Sequence, residues 1–510
     1  MDTVTTACLT CGNTVFKDSQ RLLLRPTGPR QESAVFLYDK ASQLAQLIKS
    51  LQNERVSLLQ ELNCIQSPVM SLPNETLSII FEHACLPHDL SPQPEDRPVN
   101  HFRFIIAAVC SHWRNVAHGT PGLWSSVALY ITPYNTRKKV EILEGIWSLV
   151  KTSPLALSLH FSHNFVFAPL ALFTPSVDPV IIQALPRIRE LYLVRPCRLW
   201  FQHFPSLSHL ETVSLTLDLV TESDNYAIEF SEHAPLRNLS IERSPQFEGR
   251  EIVSKAPWSA ITSLNFVHVR ISSALRIMRY CPSLVQFRLT NNASDRRAGP
   301  PNDPVTLNAP VVFPNLEVFE LSSADADWSD VLAQHIHFPL LKELKWQRNL
   351  PTGLDSGMQA LFARLPSSVT IVDLSCPDLS YVHDNPNIEE LRVAIDRIGD
   401  MDRFLQQLKP RPAPSGELAN TFPKVKRFVL YRKPAQLLLR FDPLAPGYSQ
   451  LLLDILEERL DCGDVTAFCL EMDCFEIKWL PEVQTRLKEL VEDGLDLKIV
   501  DSSEKAANWL

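Results

Sequence analysis

Apolar residues recur at every seventh position over residues 34–66, a segment that contains neither proline nor glycine. The first set consists of Leu37, Leu44, Leu51, Leu58 and Ile65. A second position of the same heptad is held by Ala41, Ile48, Arg55 and Leu62. Because both positions fall on one stripe of an α-helix, the pattern predicts a single long helix over 34–66, which Ser67-Pro68 brings to an end.

The stripe on this helix permits two arrangements. Two copies of the helix could pair through it as a coiled coil, which would make the protein a homodimer. Alternatively, the helix could fold back along its own chain. Arg55 interrupts the stripe, so four heptads of this kind leave both arrangements open.

Residues 1–33 precede this helix and show no sustained period. They carry proline, glycine, serine and arginine, a composition that predicts disorder. The pair Cys8-x-x-Cys11 lies in this tail, but a tetrahedral zinc site needs further ligands that the surrounding sequence lacks. We therefore expect two free cysteines in a flexible tail.

Two shorter amphipathic segments follow between Ser71 and Val127. In the first, one helical face holds Leu77, Ile80, Phe81 and Ala84, at i, i+3, i+4 and i+7. In the second, one face holds Phe102, Ile105 or Ile106, Val109, Trp113 and Val116. Pro73 suits the first turn of the first helix, with Ser71 or Asn74 as its cap. A module of this size buries little apolar surface alone and needs a partner surface.

Beyond Trp124 the pattern changes to strands and short helices. Ser125–Ile131 and Pro154–Phe161 predict strands on either side of an amphipathic helix at Arg137–Val150. A unit of Pro-x-aliphatic-x-x-apolar-x-apolar then recurs. Its clear copies begin at Pro186, Pro282, Pro314, Pro339, Pro386 and Pro423, and its looser copies at Pro205 (with Leu207 and Leu210), Pro235, Pro257 and Pro366. From Pro186 to Pro423 the mean period is about 26 residues.

Each copy predicts one strand and a return segment, because proline stops the preceding helix and donates nothing to a strand ladder. Return helices are predicted at Ala274–Tyr280, Val331–His337, Ser356–Leu365, Tyr448–Leu460 and Glu482–Asp493. The last strands are predicted at Val465–Glu471 and Asp496–Val500. The fold class is therefore α/β, with a curved parallel sheet. Residues between the apolar positions are expected to face outward: Tyr192, Arg288, Glu320, Lys345, Arg392 and Val429.

Composition narrows the classes of function. The 510-residue chain carries a net charge of −9 and no long basic run, which argues against a nucleic-acid-binding or anionic-membrane-binding protein. No secretory leader is visible, and the longest apolar run, Phe104–Cys110, is too short to span a bilayer. Eleven scattered cysteines fit reduced thiols, so we expect a cytoplasmic or nuclear protein.

The chain lacks the common sequence motifs of catalysis. The chain has no His-Glu-x-x-His, no Gly-x-Ser-x-Gly and no phosphate loop ending in Gly-Lys-Ser or Gly-Lys-Thr. The paired carboxylates Glu389-Glu390 and Glu457-Glu458 are expected to be solvated surface. Histidines between His83 and His118 lack the spacing of metal ligands. We therefore expect no catalytic residue, no metal and no cofactor, which disfavours an enzyme.

An ordered set of residues in the helical module resembles the F-box. That family's pattern is Leu-Pro, Glu, a run of aliphatics ending in Phe, then Val-Cys, Trp and a closing Pro-x-x-Trp. The matching residues are Leu72, Pro73, Glu75, Leu77, Ile79, Ile80, Phe81, Val109, Cys110, Trp113, Pro121 and Trp124. The insertion Leu86–Asn100 departs from the compact pattern, and is similar to the versions found in the large F-box families of mushroom-forming fungi.

The repeated unit resembles a leucine-rich repeat, although its intervals vary and the asparagine of regular repeats is mostly missing. Together the two resemblances divide the chain into four segments. They are a disordered tail at 1–33, the heptad helix at 34–67, an F-box at 68–127 and an irregular leucine-rich-repeat solenoid at 128–510.

These resemblances imply the substrate receptor of an SCF-type (cullin-RING) ubiquitin ligase. The F-box would dock on an SKP-family adaptor, and through it on a cullin, while the solenoid would hold an unidentified target protein. The implied adaptor-binding residues, some of which must also pack the module internally, are Leu72, Pro73, Leu77, Ile80, Phe81, Val109, Cys110 and Trp113. Target binding is expected at Tyr192, Arg288, Glu320, Lys345 and Arg392. The alternative is a repeat scaffold for protein interactions with no ligase role.

Overall fold

The computed structural model describes most of the chain between residues 30 and 500. The described residues are 30–85, 101–132, 134–162, 180–196, 198–217, 228–243, 253–269, 271–291, 311–323, 335–348, 356–375, 379, 382, 387–395, 398–412, 418–419, 422, 424–431, 447–461, 467–472 and 479–500. By their contacts they form two units, 30–85 with 102–120 and 121–500. Cys8 and Cys11 lie outside the described residues, as does most of the predicted tail.

The first unit is helical. Helix α1 (Arg30–Gln66) passes Arg55 without a break, so the structure has the single helix that the heptad pattern predicts. It begins at Arg30, so the prediction of a disordered tail is wrong for residues 30–33. A short 3-10 turn, Pro68–Ser71, leads into α2 (Asn74–Ala84), and α3 (His101–Val109) and α4 (Ser111–Gly119) complete the unit.

The start of α2 differs from its prediction. Pro73 precedes the helix with an extended backbone (φ −54°, ψ 147°) instead of occupying the first turn. Ser71 does not cap the helix, because its Oγ donates a hydrogen bond to the Pro68 carbonyl (2.6 Å) within the preceding turn. Asn74 does not cap it either, since it is already the first helical residue.

The second amphipathic segment forms two helices instead of one continuous face. The backbone is extended at Cys110 (φ −156°, ψ 171°), where α3 has ended and α4 begins. Cys110 Sγ accepts a hydrogen bond from Trp113 N (3.4 Å), which satisfies one of the amides that every helix start leaves unpaired. Residues 101–118 contain no proline or glycine, so the usual signal of a break is missing.

The core of the first unit forms between α2 and α4. Leu77 and Phe81 of α2 and Val116 of α4 are buried. The Phe81 ring packs against Trp113 with a centroid separation of 5.0 Å. This contact joins the two helices through an aromatic pair, which adds to the burial of apolar area.

The second unit is built on one large parallel sheet. In chain order the strands are β1 (Ser126–Ile131), β2 (Leu155–Phe161), β3 (Ile188–Val194), β4 (Thr212–Leu217), β5 (Ile228–Glu229), β6 (Asn238–Arg243), β7 (Val253–Lys255), β8 (Ser263–Val267), β9 (Gln286–Asn291), β10 (Val311–Val312), β11 (Val318–Ser323), β12 (Ile336–His337), β13 (Glu343–Arg348), β14 (Ile371–Leu374), β15 (Glu390–Ala394), β16 (Arg411–Pro412), β17 (Leu418–Ala419), β18 (Arg427–Tyr431), β19 (Ala467–Met472) and β20 (Asp496–Val500). Fourteen of these described strands form the main sheet, in the order β1-β2-β3-β4-β6-β8-β9-β11-β13-β14-β15-β18-β19-β20. The predicted α/β class with a parallel sheet is confirmed.

Helices lie between several of the neighbouring strands. They are α5 (Thr136–Val150), α6 (Ile271–Met278), α7 (Ser356–Phe362), α8 (Ile398–Gln407), α9 (Gly447–Asp461) and α10 (Pro481–Glu492). The helix predicted at Val331–His337 is wrong at its end, because Ile336 and His337 pair with β10 as strand β12. Residues 331–334 lie outside the described residues. Among the helices that the structure describes, none has both the length and the hydropathy to cross a membrane.

The strands of the main sheet bring two apolar side chains each to the same face. Across the middle of the sheet the first position is, in register, Leu264, Phe287, Phe319, Leu344 and Val372, and the second is Phe266, Leu289, Leu321, Trp346 and Leu374. All ten are buried. Because side chains alternate along a strand, the residue between the two positions points to the opposite face.

The turn ahead of each strand adds a third buried side chain. It is the aliphatic residue of the repeated unit, for example Leu284, Leu316 and Leu341. Its amide bonds back to the carbonyl three residues earlier, as in Leu316 N to Phe313 O (3.4 Å). The turn therefore folds its aliphatic residue under the sheet before the strand begins.

The copy predicted at Pro205 is misplaced. Leu207 and Leu210 are buried, but both precede β4, whose inward side chains are Val213 and Leu215. Leu210 thus holds the turn position, three residues before the first inward strand residue. The turn requires a buried aliphatic residue and does not require proline. Alignment on Pro205 therefore assigned Leu207 to the turn position that Leu210 holds.

Burial at the turn position predicts a sharp difference between two adjacent leucines. Leu341 is 0% exposed and Leu340 is 51% exposed. We expect Leu341→Ala to lower the free energy of unfolding by about 2–5 kcal/mol, because it leaves a cavity under the sheet. Leu340→Ala, the matched control, should change it by no more than about 0.5 kcal/mol. Urea unfolding of both variants measures this, and equal effects would contradict the assignment of the turn residue to the core.

Candidate functional site

The first candidate site consists of two sets of exposed apolar side chains in the first unit, one on α2 and one on α3. On α3, Phe102, Ile105 and Val109 recur at i, i+3 and i+7, which places them on one stripe, and all three are exposed. On α2, Ile79 and Ile80 are exposed. Exposed apolar side chains that cluster on a helix mark an interaction surface more often than scattered ones do.

Helix α3 differs in part from an ordinary surface helix. It buries Ile106 and Ala107, as expected, but it also buries Arg103, which is only 3% exposed, while Phe102, Phe104 and Ile105 face solvent. Burial lowers the pKa of the Arg103 guanidinium to about 10. A helix that buries a charged side chain and exposes its apolar ones gains from covering the exposed side, which favours a partner surface.

The eight residues that sequence reasoning assigned to adaptor binding fall into three groups. Pro73, Ile80 and Val109 are exposed. Leu72, Cys110 and Trp113 are half-buried. Leu77 and Phe81 are 1% and 2% exposed, so they cannot lie on a contact surface, and we correct their role to packing of the module core.

Sequence reasoning missed four exposed residues as site members. They are Ile79 on α2 and Phe102, Phe104 and Ile105 on α3. Their signal was present, because α3 is apolar almost all round (HFRFIIAAV) although its module is too small to bury such a helix. Helical periodicity alone selected the buried face of α2.

The second candidate site is the polar face of the main sheet. Its central row joins Tyr192, Ser214, Ser240, Asn265, Arg288, Glu320, Lys345, Asp373, Arg392, Val429 and Glu471 in register. Five of these residues were expected to bind a target, and the structure brings all five onto one face. The row is uncharged from β3 to β8, and from β9 onward each member is charged except Val429 on β18.

The charges of this row alternate in sign between neighbouring strands. Glu320 on β11 lies between Arg288 on β9 and Lys345 on β13, with N–O distances of 3.6 Å and 2.7 Å. Opposite charges directly across neighbouring strands stabilise a sheet, whereas like charges would oppose the pairing. One carboxylate is thus shared by two cations, which leaves these three row residues with a net charge of about +1.

A second ion-pair network follows on β15, β18 and β19. Arg427 bridges Glu390 (3.1 Å) and Glu471 (2.6 Å), and Arg392 Nε lies 2.6 Å from Glu390. The hydrogen bond from Arg427 lowers the pKa of Glu471, and the hydrogen bond to Glu471 raises the pKa of Arg427. Burial alone would lower the pKa of Arg392, but its bond to Glu390 and the charges of Glu390 and Glu343 raise it.

Asp373 is the buried acid of the polar face, with only 3% of its surface exposed. Tyr431 Oη donates to Asp373 Oδ1, and Gln347 Nε2 donates to Tyr431 Oη (2.6 Å). Burial raises the pKa of the Asp373 carboxyl, while the bond from Tyr431 and the charges of Lys345 and Arg392 oppose that rise. Burial and the charge of Asp373 raise the pKa of the Tyr431 phenol.

Two residues that were predicted to face outward from the sheet, Val429 and Tyr192, are less exposed than expected. Val429 was expected to be exposed, but it is buried, because the side chains around it in the row and along the strand, Arg392, Glu471 and Arg427, are all longer. Tyr192 lies at the uncharged end of the row and is half-buried. Its hydroxyl donates to Glu190 on the same strand (3.0 Å).

Polar side chains without charge hydrogen-bond across the first half of the face. Asn265 Nδ2 donates to Ser240 Oγ on the neighbouring strand (3.0 Å). On β2, Ser158 Oγ and His160 Nε2 lie 3.0 Å apart and both residues are buried. Burial and the charge of Arg195 lower the pKa of His160. Because Ser158 is fully buried, this pair satisfies its own polar groups within the sheet.

In the part of the chain that the structure describes, no three His, Cys, Asp or Glu side chains are grouped so that they could hold a metal ion. The sequence matches none of the models of known protein families. Comparison with curated proteins gives no significant match.

The opposite pKa shifts of Asp373 and Glu471 predict opposite effects of neutralisation. Since burial raises the pKa of Asp373, its ionised form lowers stability above that pKa, and the loss disappears below the unfolded value. Asp373→Asn should therefore be more stable than wild type near pH 7, with a gap that closes toward about pH 4. Glu471 has a lowered pKa, so its contribution is present above the unfolded value and is lost as pH falls through the folded one.

Glu471→Gln is accordingly the matched control. It should lower the free energy of unfolding near pH 7 by about 1–2 kcal/mol, the contribution of a hydrogen bond to a charged group. Urea unfolding at a series of pH values measures both variants. A destabilised Asp373→Asn variant at neutral pH would show that the Tyr431 bond outweighs the burial of the charge.

Proposed function

We propose that this protein is the substrate receptor of an SCF-type (cullin-RING) ubiquitin ligase. The observation that carries the proposal is the exposed apolar surface of α2 and α3, in the segment that resembles an F-box. A helical module that exposes Ile80, Ile105 and Val109 while burying Arg103 is suited to an obligate partner. In this proposal the partner is an SKP-family adaptor, which links the module to a cullin.

The adaptor contact is expected to consist of the exposed residues of the two helices. Ile79 and Ile80 on α2, with Phe102, Ile105 and Val109 on α3, supply the apolar part of the contact. Leu77 and Phe81 support it from beneath by holding α2 against α4. Burial of a few such side chains supplies about 1.5–3 kcal/mol each when complete, which is enough for a specific complex.

The second unit is proposed to be an irregular leucine-rich-repeat solenoid. One parallel strand per unit, a buried aliphatic residue in the turn and two inward apolar residues per strand all support it. The polar face would then be the surface that holds a target. Its thirteen strand intervals of about 4.8 Å give a face about 60 Å long, which suits a protein and exceeds the needs of a small molecule.

The proposed mechanism is positioning. A receptor that binds the adaptor with one unit and the target with the other raises the concentration of the target near a ubiquitin-charged conjugating enzyme. No bond is made or broken by the receptor itself. A repeat scaffold without a ligase role would use the same polar face but would not require the apolar surface of α2 and α3.

Charge at the apolar surface should weaken adaptor binding. We expect the double variant Ile105→Glu with Val109→Glu to weaken binding of a purified SKP-family adaptor by at least about tenfold, because two carboxylates must be desolvated. The matched control is Ile182→Glu with Leu340→Glu, two positions in the second unit. All four residues are between 51 and 56% exposed in the folded chain, so neither double variant should disturb a core.

Isothermal titration of the full-length variants with the adaptor gives the measurement, and co-purification of a cullin tests the ligase role. Adaptor affinity that is equal in both double variants would refute the proposed contact. Adaptor binding without cullin in the purified assembly would favour the scaffold.

A charge swap tests whether the polar face holds the target. In the triad Arg288, Glu320 and Lys345, the changes Arg288→Glu, Glu320→Arg and Lys345→Gln keep opposite charges across β9 and β11. They set no like charge against Asp373, the neighbour of Lys345 on β14, so the fold should be preserved. The swap inverts the charges that a target would meet on β9 and β11, so capture of wild-type partners should fall by at least about tenfold.

The control for the swap is Arg137→Glu with Glu141→Arg, an exposed ion pair on α5 away from the polar face. Partners captured by wild type and by both variants are compared quantitatively by mass spectrometry. If the triad swap retains all partners while its melting temperature matches wild type, target binding does not use this part of the face.

A further inference from the structure

Helix α1 carries a long apolar surface that is exposed to solvent. Twelve large apolar side chains along it are between 41 and 82% exposed. They include the large apolar members of both heptad positions: Leu37, Leu44, Ile48, Leu51, Leu58, Leu62 and Ile65. Contiguous apolar surface of this extent marks an interaction site.

The exposed side chains also have the shape that a second helix needs. A groove on α1 is lined by Leu51, Leu58, Leu59 and Leu62, with Glu54 and Arg55 beside it. Side chains of this kind form the holes into which the knobs of a facing helix insert. The groove lies between side chains of α1 itself, as the holes of a coiled-coil helix do.

We propose that the occupant is a second copy of α1, so that the protein is a homodimer joined by a two-stranded coiled coil. A repeat of seven keeps one stripe against a partner helix over many turns, whereas a helix on a globular core follows a period of 3.6. Leucine at one heptad position (Leu44, Leu51, Leu58) with Ile48 at the other is the combination that favours two strands, and it occurs in the middle of the stripe; the other members of the second position, Ala41, Arg55 and Leu62, are not β-branched.

The area available matches the needs of a stable dimer. The seven heptad residues and the flanking Leu47 and Leu59 are about half exposed. At about 100 Å² per apolar side chain, they offer about 450 Å² on each helix and about 900 Å² on two. Flanking polar atoms bring the total past about 1,000 Å², where specific interfaces begin.

The charges beside the stripe do not oppose a second copy. In a parallel pair in register, Glu54 of one helix lies beside Leu59 of the other, and Glu61 lies beside Gln66. Like charges therefore do not face each other on these flanks. The fold-back arrangement within the first unit requires that unit to cover the same stripe, and among its described residues the side chains of the stripe are exposed.

Arg55 makes the proposal specific, because it is the charged residue of the stripe. A single polar residue at such a position selects register at the expense of stability. Arg55→Leu should therefore lower the dissociation constant of the dimer. A variant that damaged the fold would raise that constant, so the two effects can be told apart. The proposal stands apart from the ligase proposal, since it uses α1 alone and not the apolar surface of α2 and α3.

The test is the mass of the full-length protein by sedimentation equilibrium at micromolar concentration. We expect a dimer whose dissociation constant rises by at least about 100-fold in Leu51→Asp with Leu58→Asp, and falls by about tenfold in Arg55→Leu. The matched control is Val35→Asp with Val56→Asp, which places the same charges on the opposite side of α1. It should leave the constant within about twofold.

Four outcomes would overturn the proposal: a monomeric wild type, a dimer that survives Leu51→Asp with Leu58→Asp, an equal loss in the control, or a weaker dimer in Arg55→Leu. Far-ultraviolet circular dichroism of each variant shows that α1 stays helical. Adaptor affinity measured on the same variants keeps this result separate from the proposed ligase role, since adaptor binding should be unchanged throughout.

Discussion

The second unit depends on the in-register stacking of apolar side chains from one strand to the next. Phe319 packs against Phe287 on one side and Trp346 on the other, with Phe338 of the following turn 4.9 Å from its centroid. This stacking fixes which face of each strand is buried, since a slip of one residue would invert every side chain. It therefore also decides which polar residues meet. Glu320 lies between Arg288 and Lys345 because the apolar residues beside it are aligned, and the alternation of charge is compatible with that alignment.

The first unit shows the opposite balance. Its core between α2 and α4 is small, and α1 and α3 carry more apolar surface outside than inside. In a large sheet, neighbouring strands cover each other, but a few helices cannot enclose their own apolar residues. Among the described residues, the first unit therefore leaves long apolar stripes of two helices exposed.

The repeated spacing of apolar residues was sufficient to predict the sheet, because that spacing indicates which side chains of each strand are buried. Features without a periodic signal were missed. The break at Cys110 is set by one side-chain cap. The position of β4 is set by the turn residue Leu210, whereas the prediction had been aligned on Pro205. On α2 the period could not tell a buried face from a binding face, so Leu77 and Phe81 were assigned to the site. The contact between Asp373 and Tyr431 joins residues 58 apart in sequence and follows only from the register of the strands between them.

The hydrogen bond between Tyr431 and Asp373 affects the order in which the strands of the sheet unfold. In an array in which each strand touches only its neighbours, unfolding can begin at either end and advance one strand at a time. The Tyr431 hydroxyl reaches from β18 past β15 to Asp373 on β14, and Gln347 extends the chain of hydrogen bonds to β13. Opening β18 would therefore leave the buried Asp373 carboxylate on β14, two strands away, without the hydrogen bond from Tyr431. These four strands are thus coupled more tightly than strands that contact only their neighbours. Amide exchange would show them as one cooperative block within an otherwise graded array.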